Sequence, residues 1–372
     1  MLKKHTRIKI VTLALCSLAA MALPSASVLA EGEYGDGPHC QQQTLPVQLA
    51  AGDPTMYEVK GWLCWDGQLA GKTVQLLLSG FTYDHYYWDF PFQQDKYSYV
   101  LEATAEGYAT FNIDRIGVGQ SSHPTDPSTV TVTSEAFVTN QVVQALRAGN
   151  VAHNAFHKVI GVGHSYGAAI WIIEASSYPQ NGGVDGLILA DYLHQSDPNT
   201  VAALTAARWQ AQQDPKFASA GLALGYITTK PGYRYLFYNP DYADPRVIKK
   251  DEELKQTATI GEATTLGLAR DPSFSQKIGV PVLLVVGQKD SLGCNDSLGL
   301  SCADNAAIVA REAANFSAQA CLEAYVLPIS GHDTNLHPDA KRWFKAAGGW
   351  SDRRVGVTDW HTATQPCLAE TP

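Results

Sequence analysis

No Cys-x-x-Cys pair occurs in the chain, so the spacing that marks most structural zinc sites is missing and neither metal nor organic cofactor is expected. Long apolar runs are missing too: residues 10–23 are too few for a comfortable membrane span, and no later segment approaches that length. Basic residues are scarce beyond the first thirty positions. Those thirty hold Lys3, Lys4, Arg7 and Lys9 and no acid, which leaves 23 basic against 36 acidic residues and a net charge of −13 for the remainder. Such a surface repels nucleic acid, and no basic patch with interleaved aromatics offsets it. Nothing points to disorder or to a repeat array. The 372 residues, 45% of them hydrophobic, suffice for one large domain or a domain with a substantial insertion.

The basic cluster at the start, the apolar run, Pro24 and the small-residue ending Val28-Leu29-Ala30 together read as a secretory signal peptide over residues 1–30, cleaved after Ala30. Around Cys16 the sequence faintly resembles a lipoprotein anchoring signal, but Leu15 is too large for that pattern and no stable membrane anchor is expected. Export makes the six remaining cysteines candidates for disulfides, with fifteen pairings open. The favoured set joins Cys40 to Cys64, Cys294 to Cys302, and Cys321 to Cys367. These would tie an N-terminal arm to an early strand, close a short loop, and pin the C-terminal tail.

Residues 45–50 and 57–63 alternate apolar and polar around Gly52-Asp53-Pro54, which predicts an antiparallel pair. Apolar runs at 74–78, 109–113, 159–163, 187–190, 280–286 and 325–329 read as strands, and helical stretches such as 142–148 lie between them. This alternation predicts an α/β fold with a mainly parallel central sheet flanked by helices, its active site beyond the carboxyl ends of the strands. Residues 192–279 lack strongly β-like runs, show helical stretches at 200–213 and 251–265, and hold aromatics at Tyr233, Tyr235, Phe237, Tyr238 and Tyr242. So long an interval is not a loop. It is predicted to be an inserted helical cap, with residues 31–191 and 280–372 forming the core.

The most informative stretch is Gly163-His164-Ser165-Tyr166-Gly167, a match to Gly-x-Ser-x-Gly. A β-branched run at 159–162 precedes it and an apolar helical stretch at 168–175 follows, the strand-turn-helix setting the motif needs. A serine projecting from so tight a bend sits in a strained backbone, and glycines on either side remove side chains that would collide across it.

In this setting the motif resembles the nucleophile elbow of the α/β-hydrolase superfamily, and residues 73–350 carry further matching segments in the family's order. The resemblance implies an α/β-hydrolase fold and a nucleophile, acid and base arriving in that order along the chain. Ser165 would be the nucleophile. His332, in Ile329-Ser330-Gly331-His332 after the last predicted strand, would be the base; His164 is too close to Ser165 to fold back onto it, and His337 reads as a helix-start residue ahead of Pro338. Asp290, which ends the strand 280–286 segment, would be the acid. Asp191 is the alternative because some family members carry the acid one strand earlier, while Asp296 and Asp304 lie in the following loop. The backbone N–H groups of Tyr166 and Phe81 would form the oxyanion hole, with Ser79-Gly80 standing where many relatives have His-Gly. Asp114 and Arg115 would brace neighbouring loops, and Tyr83, His85, Trp88 and His164 are candidates for lining the substrate pocket.

The expected activity is hydrolysis of a small-molecule carboxylic ester by an exported serine hydrolase through an acyl-enzyme. Lactone, amide or carbon–carbon bond hydrolysis on the same residues stays open, because fold does not choose among them. A binding module that kept the fold without the chemistry is the contrasting possibility. Epoxide and haloalkane hydrolases resemble this fold but place Asp where this chain has Ser165.

Overall fold

The computed structural model describes residues 37–361, 363 and 364. The predicted signal peptide, its cleavage point after Ala30 and the Cys321–Cys367 pairing lie outside the described residues. In chain order the strands are β1 (His39–Val47), β2 (Tyr57–Trp65), β3 (Val74–Leu78), β4 (Ala109–Ile113), β5 (Val159–His164), β6 (Gly186–Ala190), β7 (Arg208–Gln210), β8 (Tyr226–Thr229), β9 (Ala258–Thr259), β10 (Val282–Gly287) and β11 (Glu323–Leu327). Eight of them make one sheet in the order β1-β2-β4-β3-β5-β6-β10-β11. The pairs β1/β2 and β2/β4 are antiparallel and the remaining neighbours are parallel.

The apolar runs of the parallel strands are split between two layers, as a period of two demands. In β3, Val74, Leu76 and Leu78 enter one apolar cluster and Leu77 the other; in β6, Leu187 and Leu189 alternate in the same way with Ile188 and Ala190. The first layer is completed by Val138 and Val142 of the helix Val132–Arg147 and by Ile170, Trp171 and Ile173 of the helix Tyr166–Ser177. The second is completed by Tyr99 from the helix Tyr99–Ala105 and by Trp343, Phe344 and Trp350 from the helix Ala340–Arg354. Covering on both faces is why these strands show no polar alternation in sequence.

At the sheet edge, β1 tolerates Pro46 because an edge strand can leave one ladder position without a donor. Cys40 lies opposite Cys64 in the β1/β2 register and is bonded to it, and Cys294 is bonded to Cys302. Both pairings agree with the set favoured from sequence. Among the described residues, no helix is long and apolar enough to cross a membrane.

The expectation of a purely helical insertion is corrected by the structure. Residues 192–279 carry helices Pro198–Ala206, Pro245–Leu254 and Ile260–Thr265, but also a three-stranded antiparallel sheet in the order β7-β8-β9. These strands have three, four and two residues, too short for alternation to register in sequence. The predicted helix at 251–265 is interrupted after Leu254 and restarts with the Thr259/Glu262 capping box.

Candidate active site

Strand β5 ends at His164, and Ser165 then adopts φ 50° and ψ −112°, a left-handed conformation that a serine occupies only under strain. The flanking glycines make it possible. A Cβ on Gly163 would lie 2.5 Å from the backbone carbon of Gly167, and one on Gly167 would lie 2.2 Å from Leu78 O. The Ser165 N–H donates to Ala190 O at 2.8 Å, fastening the turn to the end of β6. Ser165 therefore sits at the carboxyl rim of the sheet, immediately before the helix Tyr166–Ser177.

His332 Nε2 lies 2.9 Å from Ser165 Oγ, and its Nδ1 lies 3.0 Å from Asp290 Oδ2. With the carboxylate accepting from Nδ1–H, Nε2 is left as an acceptor facing the hydroxyl. Burial opposes a charge on His332, but Asp290 outweighs it, and the imidazole pKa is raised to about 9. The Asp290 carboxylate also accepts from Leu292 N–H at 2.9 Å, its own carbonyl accepts from Cys294 N–H at 2.8 Å, and the Cys294–Cys302 bond closes the loop that follows. Asp191, the competing acid, is engaged elsewhere: its oxygens accept from Gly287 N–H at 2.9 Å and Thr334 Oγ1 at 2.7 Å, and burial together with the Asp290 charge raises its pKa well above the usual range. Asp304 caps the helix Asn305–Glu312 through Ala307 N–H, and Asp296 is exposed in a turn.

His332 is held by a residue that sequence placed in the wrong role. His337 does not start a helix; it is buried, accepts from Gly331 N–H at 3.0 Å and Asn239 N–H at 3.1 Å on Nε2, and donates from Nδ1 to Asp333 O at 2.8 Å. Burial lowers its pKa to about 4, so it stays neutral and can accept both bonds. One ring thereby fixes the backbone on both sides of His332. No local pattern marks such a residue, because its partners are main-chain groups from two separate segments.

The 79–81 loop, expected to supply an oxyanion donor, is set by Arg115, whose Nε donates to Ser79 O at 3.1 Å and whose Nη2 donates to Gly80 O at 3.0 Å. In a trans peptide the carbonyl and the following N–H point in opposite directions, so Gly80 O on Arg115 turns Phe81 N–H away from it. The loop also runs close to the nucleophile: a Cβ on Gly80 would lie 3.3 Å from Ser165 Cβ. Tyr166 opens its helix, so its N–H has no partner within that helix. Arg115 is buried between Glu135, 2.7 Å away, and Glu262. Arg115→Met leaves both carboxylates buried without their cation and is expected to cost about 3–5 kcal/mol in urea unfolding. A loss under about 1 kcal/mol, the range of exposed pairs, would contradict that role.

Four residues expected to line a pocket are instead packed into the protein. Trp88 is fully buried against Tyr99 and Trp343. His85 bonds Asp114 Oδ1 through Nδ1 at 2.8 Å and stacks on Trp62 with ring centroids 3.6 Å apart. His164 stacks on Tyr87 at 4.1 Å, and its Nε2 lies 3.0 Å from His332 O, so it is a strut beneath the base. Tyr83 directs its hydroxyl to Asp251 at 3.0 Å and to Asp333, under the guanidinium of Arg234. The physical reason is that residues following the oxyanion loop turn inward to cover the sheet, so nearness in sequence to Phe81 does not place them in the cleft.

Tyr83 belongs to a buried knot that joins the insertion to the catalytic loop. Arg234 is bidentate to Asp251 at 2.9 and 3.0 Å and donates to Thr82 Oγ1 at 2.7 Å; Tyr238 donates to Asp251 at 3.0 Å; and Asp333 N–H donates to Phe237 O at 3.0 Å. Burial and the Asp251 charge raise the Asp333 pKa to about 8.

Among the described residues, the group best placed to hold a cation is Asp84, His85 and Asp114. Its carboxylates already accept from Tyr86 N–H, Gln256 Nε2, His85 and Gln120 N–H at 2.7–2.9 Å, which makes it a hydrogen-bonded brace. A cavity of about 410 Å³ lined by His123, Phe217, Leu222, Tyr226 and Thr257 lies between the insertion and the 119–125 loop, and none of Ser165, His332 or Asp290 lines it.

The parallel sheet, with the strained Ser165 at its carboxyl rim and His332 and Asp290 beside it, is the arrangement of an α/β-hydrolase fold. The chain belongs to the alpha/beta hydrolase family, whose profile matches residues 75–341. Among solved structures it is similar to a soluble variant of monoglyceride lipase from Saccharomyces cerevisiae, with a TM-score of 0.57, 15% identity, and coverage of 87% of this chain and 97% of that one. A putative aryl esterase from Burkholderia cenocepacia matches with a TM-score of 0.53 and 15% identity over 83% and 97% of the two chains. A 2-hydroxy-6-oxo-6-phenylhexa-2,4-dienoate hydrolase from Rhodococcus sp. strain RHA1 matches with a TM-score of 0.52 and 17% identity over 85% and 98%. At these identities the likeness is one of fold. No curated protein matches the chain.

Proposed function

We propose that this hydrolase cleaves carboxylic esters through an acyl-enzyme. Ser165 attacks the ester carbonyl while His332 takes its proton; Asp290 holds the imidazole tautomer and offsets its charge; Phe81 and Tyr166 N–H groups donate to the oxyanion. His332 then protonates the departing alcohol, and water, activated by the same nitrogen, releases the acid. The observation that carries this is the unbroken hydrogen-bond line from Ser165 Oγ through both nitrogens of His332 to Asp290. The named esterase and lipase neighbours support the ester over other bonds. The dienoate hydrolase neighbour keeps carbon–carbon bond cleavage as the second reading. Labelling by a fluorophosphonate probe, lost in Ser165→Ala, together with turnover of p-nitrophenyl esters tests the proposal; folded protein that fails to label is a binding module instead.

The residues of the first thirty positions and the two described disulfides support an exported enzyme acting outside the cytoplasm. Detection of mature protein beginning at Glu31 in culture medium or cell envelope checks this.

His332 serves as a base only when neutral. With its pKa raised to about 9, kcat/KM for a neutral ester is expected to climb through the alkaline range and level off only near that value. A profile already flat from about pH 6.5, the unperturbed imidazole value, would contradict this. The same shift affects stability: a folded-state pKa above the unfolded one means protonated His332 stabilises the fold fully below about pH 6.5, and that contribution is lost as pH rises through about 9.

A further inference from the structure

Arg208 on β7 reaches from the insertion to the oxyanion loop. Its guanidinium carbon lies 4.7 Å from the centroid of the Phe81 ring, and that ring in turn meets Tyr166 edge-on at 6.2 Å between centroids. This cation therefore stands over the side chain of Phe81, one of the two residues whose amides are assigned to the oxyanion. Arg208 is half-buried, and among the described residues its side chain makes no hydrogen bond and no ion pair. The two most deeply buried cations of the insertion are matched, Arg234 with Asp251 and Lys255 with Asp214 at 2.8 Å. Glu262 is the acid whose charge reaches Arg208, but its oxygens are taken by Arg115 and by Thr259 N–H. A permanently charged fork with five donors, stacked on the Phe81 ring and with none of those donors hydrogen-bonded, is complementary to a planar anion.

We propose that Arg208 binds a carboxylate of the substrate, so that the ester cleaved by Ser165 carries a free carboxylate a few bonds from its scissile carbonyl. The inference rests on the esterase reading and narrows it to half-esters of dicarboxylic acids or esters of hydroxy acids. A neutral ester lacks the group that would fill the fork and loses one charge-assisted, bidentate contact.

Two pairs of esters test this on the full exported chain. Mono-p-nitrophenyl adipate against its methyl-capped diester places the carboxylate on the acyl side; 4-acetoxybenzoate against methyl 4-acetoxybenzoate places it on the leaving group. The wild-type kcat/KM ratio of charged to capped ester is expected to be about ten- to a hundredfold in one pair, to collapse toward unity in Arg208→Gln, and to be partly kept in Arg208→Lys. The ratio separates recognition from a structural role, because a variant that only loosens the cap lowers both members of a pair together. Equal rates for charged and capped esters in the wild type, or a preference that survives Arg208→Gln, would overturn the inference. Should Ser165 also fail to take the fluorophosphonate label and all four esters go unturned, the esterase reading itself falls; labelled protein that turns over capped esters without preference sinks the Arg208 inference alone.

Discussion

Ser165→Ala is expected to lower kcat/KM for p-nitrophenyl esters by about 10⁴- to 10⁶-fold while the protein keeps its fold and its urea-unfolding stability within about 1 kcal/mol. The size follows from losing the covalent route altogether; what remains is the oxyanion site and binding acting on water. Stability is not expected to fall, since alanine is no worse than serine at a left-handed position that the flanking glycines and the Ser165 N–H bond to Ala190 already enforce. His332→Ala is expected to match Ser165→Ala, and the double variant to be no slower than either, because the two act as one unit. Additive losses would mean that the hydroxyl and the imidazole serve separate steps.

Asp290→Asn is expected to cost about 10⁴-fold in kcat near neutral pH. An amide can donate to His332 Nδ1 where the carboxylate accepted, which favours the tautomer whose proton points at Ser165 and leaves the hydroxyl without a base. Asp191→Asn discriminates between the two candidate acids. It changes a carboxyl group in the same region but one that touches Gly287 and Thr334, so its cost should be far smaller and should appear in stability as well as rate. Equal losses in kcat for the two variants would show that Asp191 shares the role.

These two aspartates also show how far sequence carries. Each ends a strand at the same rim of the sheet, and nothing local distinguishes them; family order favoured Asp290, and only the 3.0 Å contact with His332 Nδ1 separates them in space. The elbow was readable because its constraint is local: two glycines, each facing backbone that excludes a Cβ, bracket one serine. The parallel strands were readable because burial on both faces leaves uninterrupted apolar runs. The insertion was misread where its strands fall to two to four residues, below the length at which a period can be recognised. Tyr83, His85, Trp88 and His164 were misplaced for a different reason: chain proximity to Phe81 says nothing about which way a side chain turns. Arg115 is legible as a loop brace from the family resemblance, whereas Arg208 and His337 give no signal of their contacts because each acts on groups distant in sequence, and pairing of that kind is written in the tertiary fold.

The knot of Arg234, Asp251, Tyr83 and Asp333 has a bearing on engineering. The insertion supplies the counter-charge of Arg234 and the Phe237 carbonyl that seat Asp333, the residue next to His332. Transplanting a foreign cover would strand Tyr83 and Asp333 in a dry interior and disturb the base itself. Selectivity in this chain is therefore better altered by single exchanges such as at position 208 than by swapping modules.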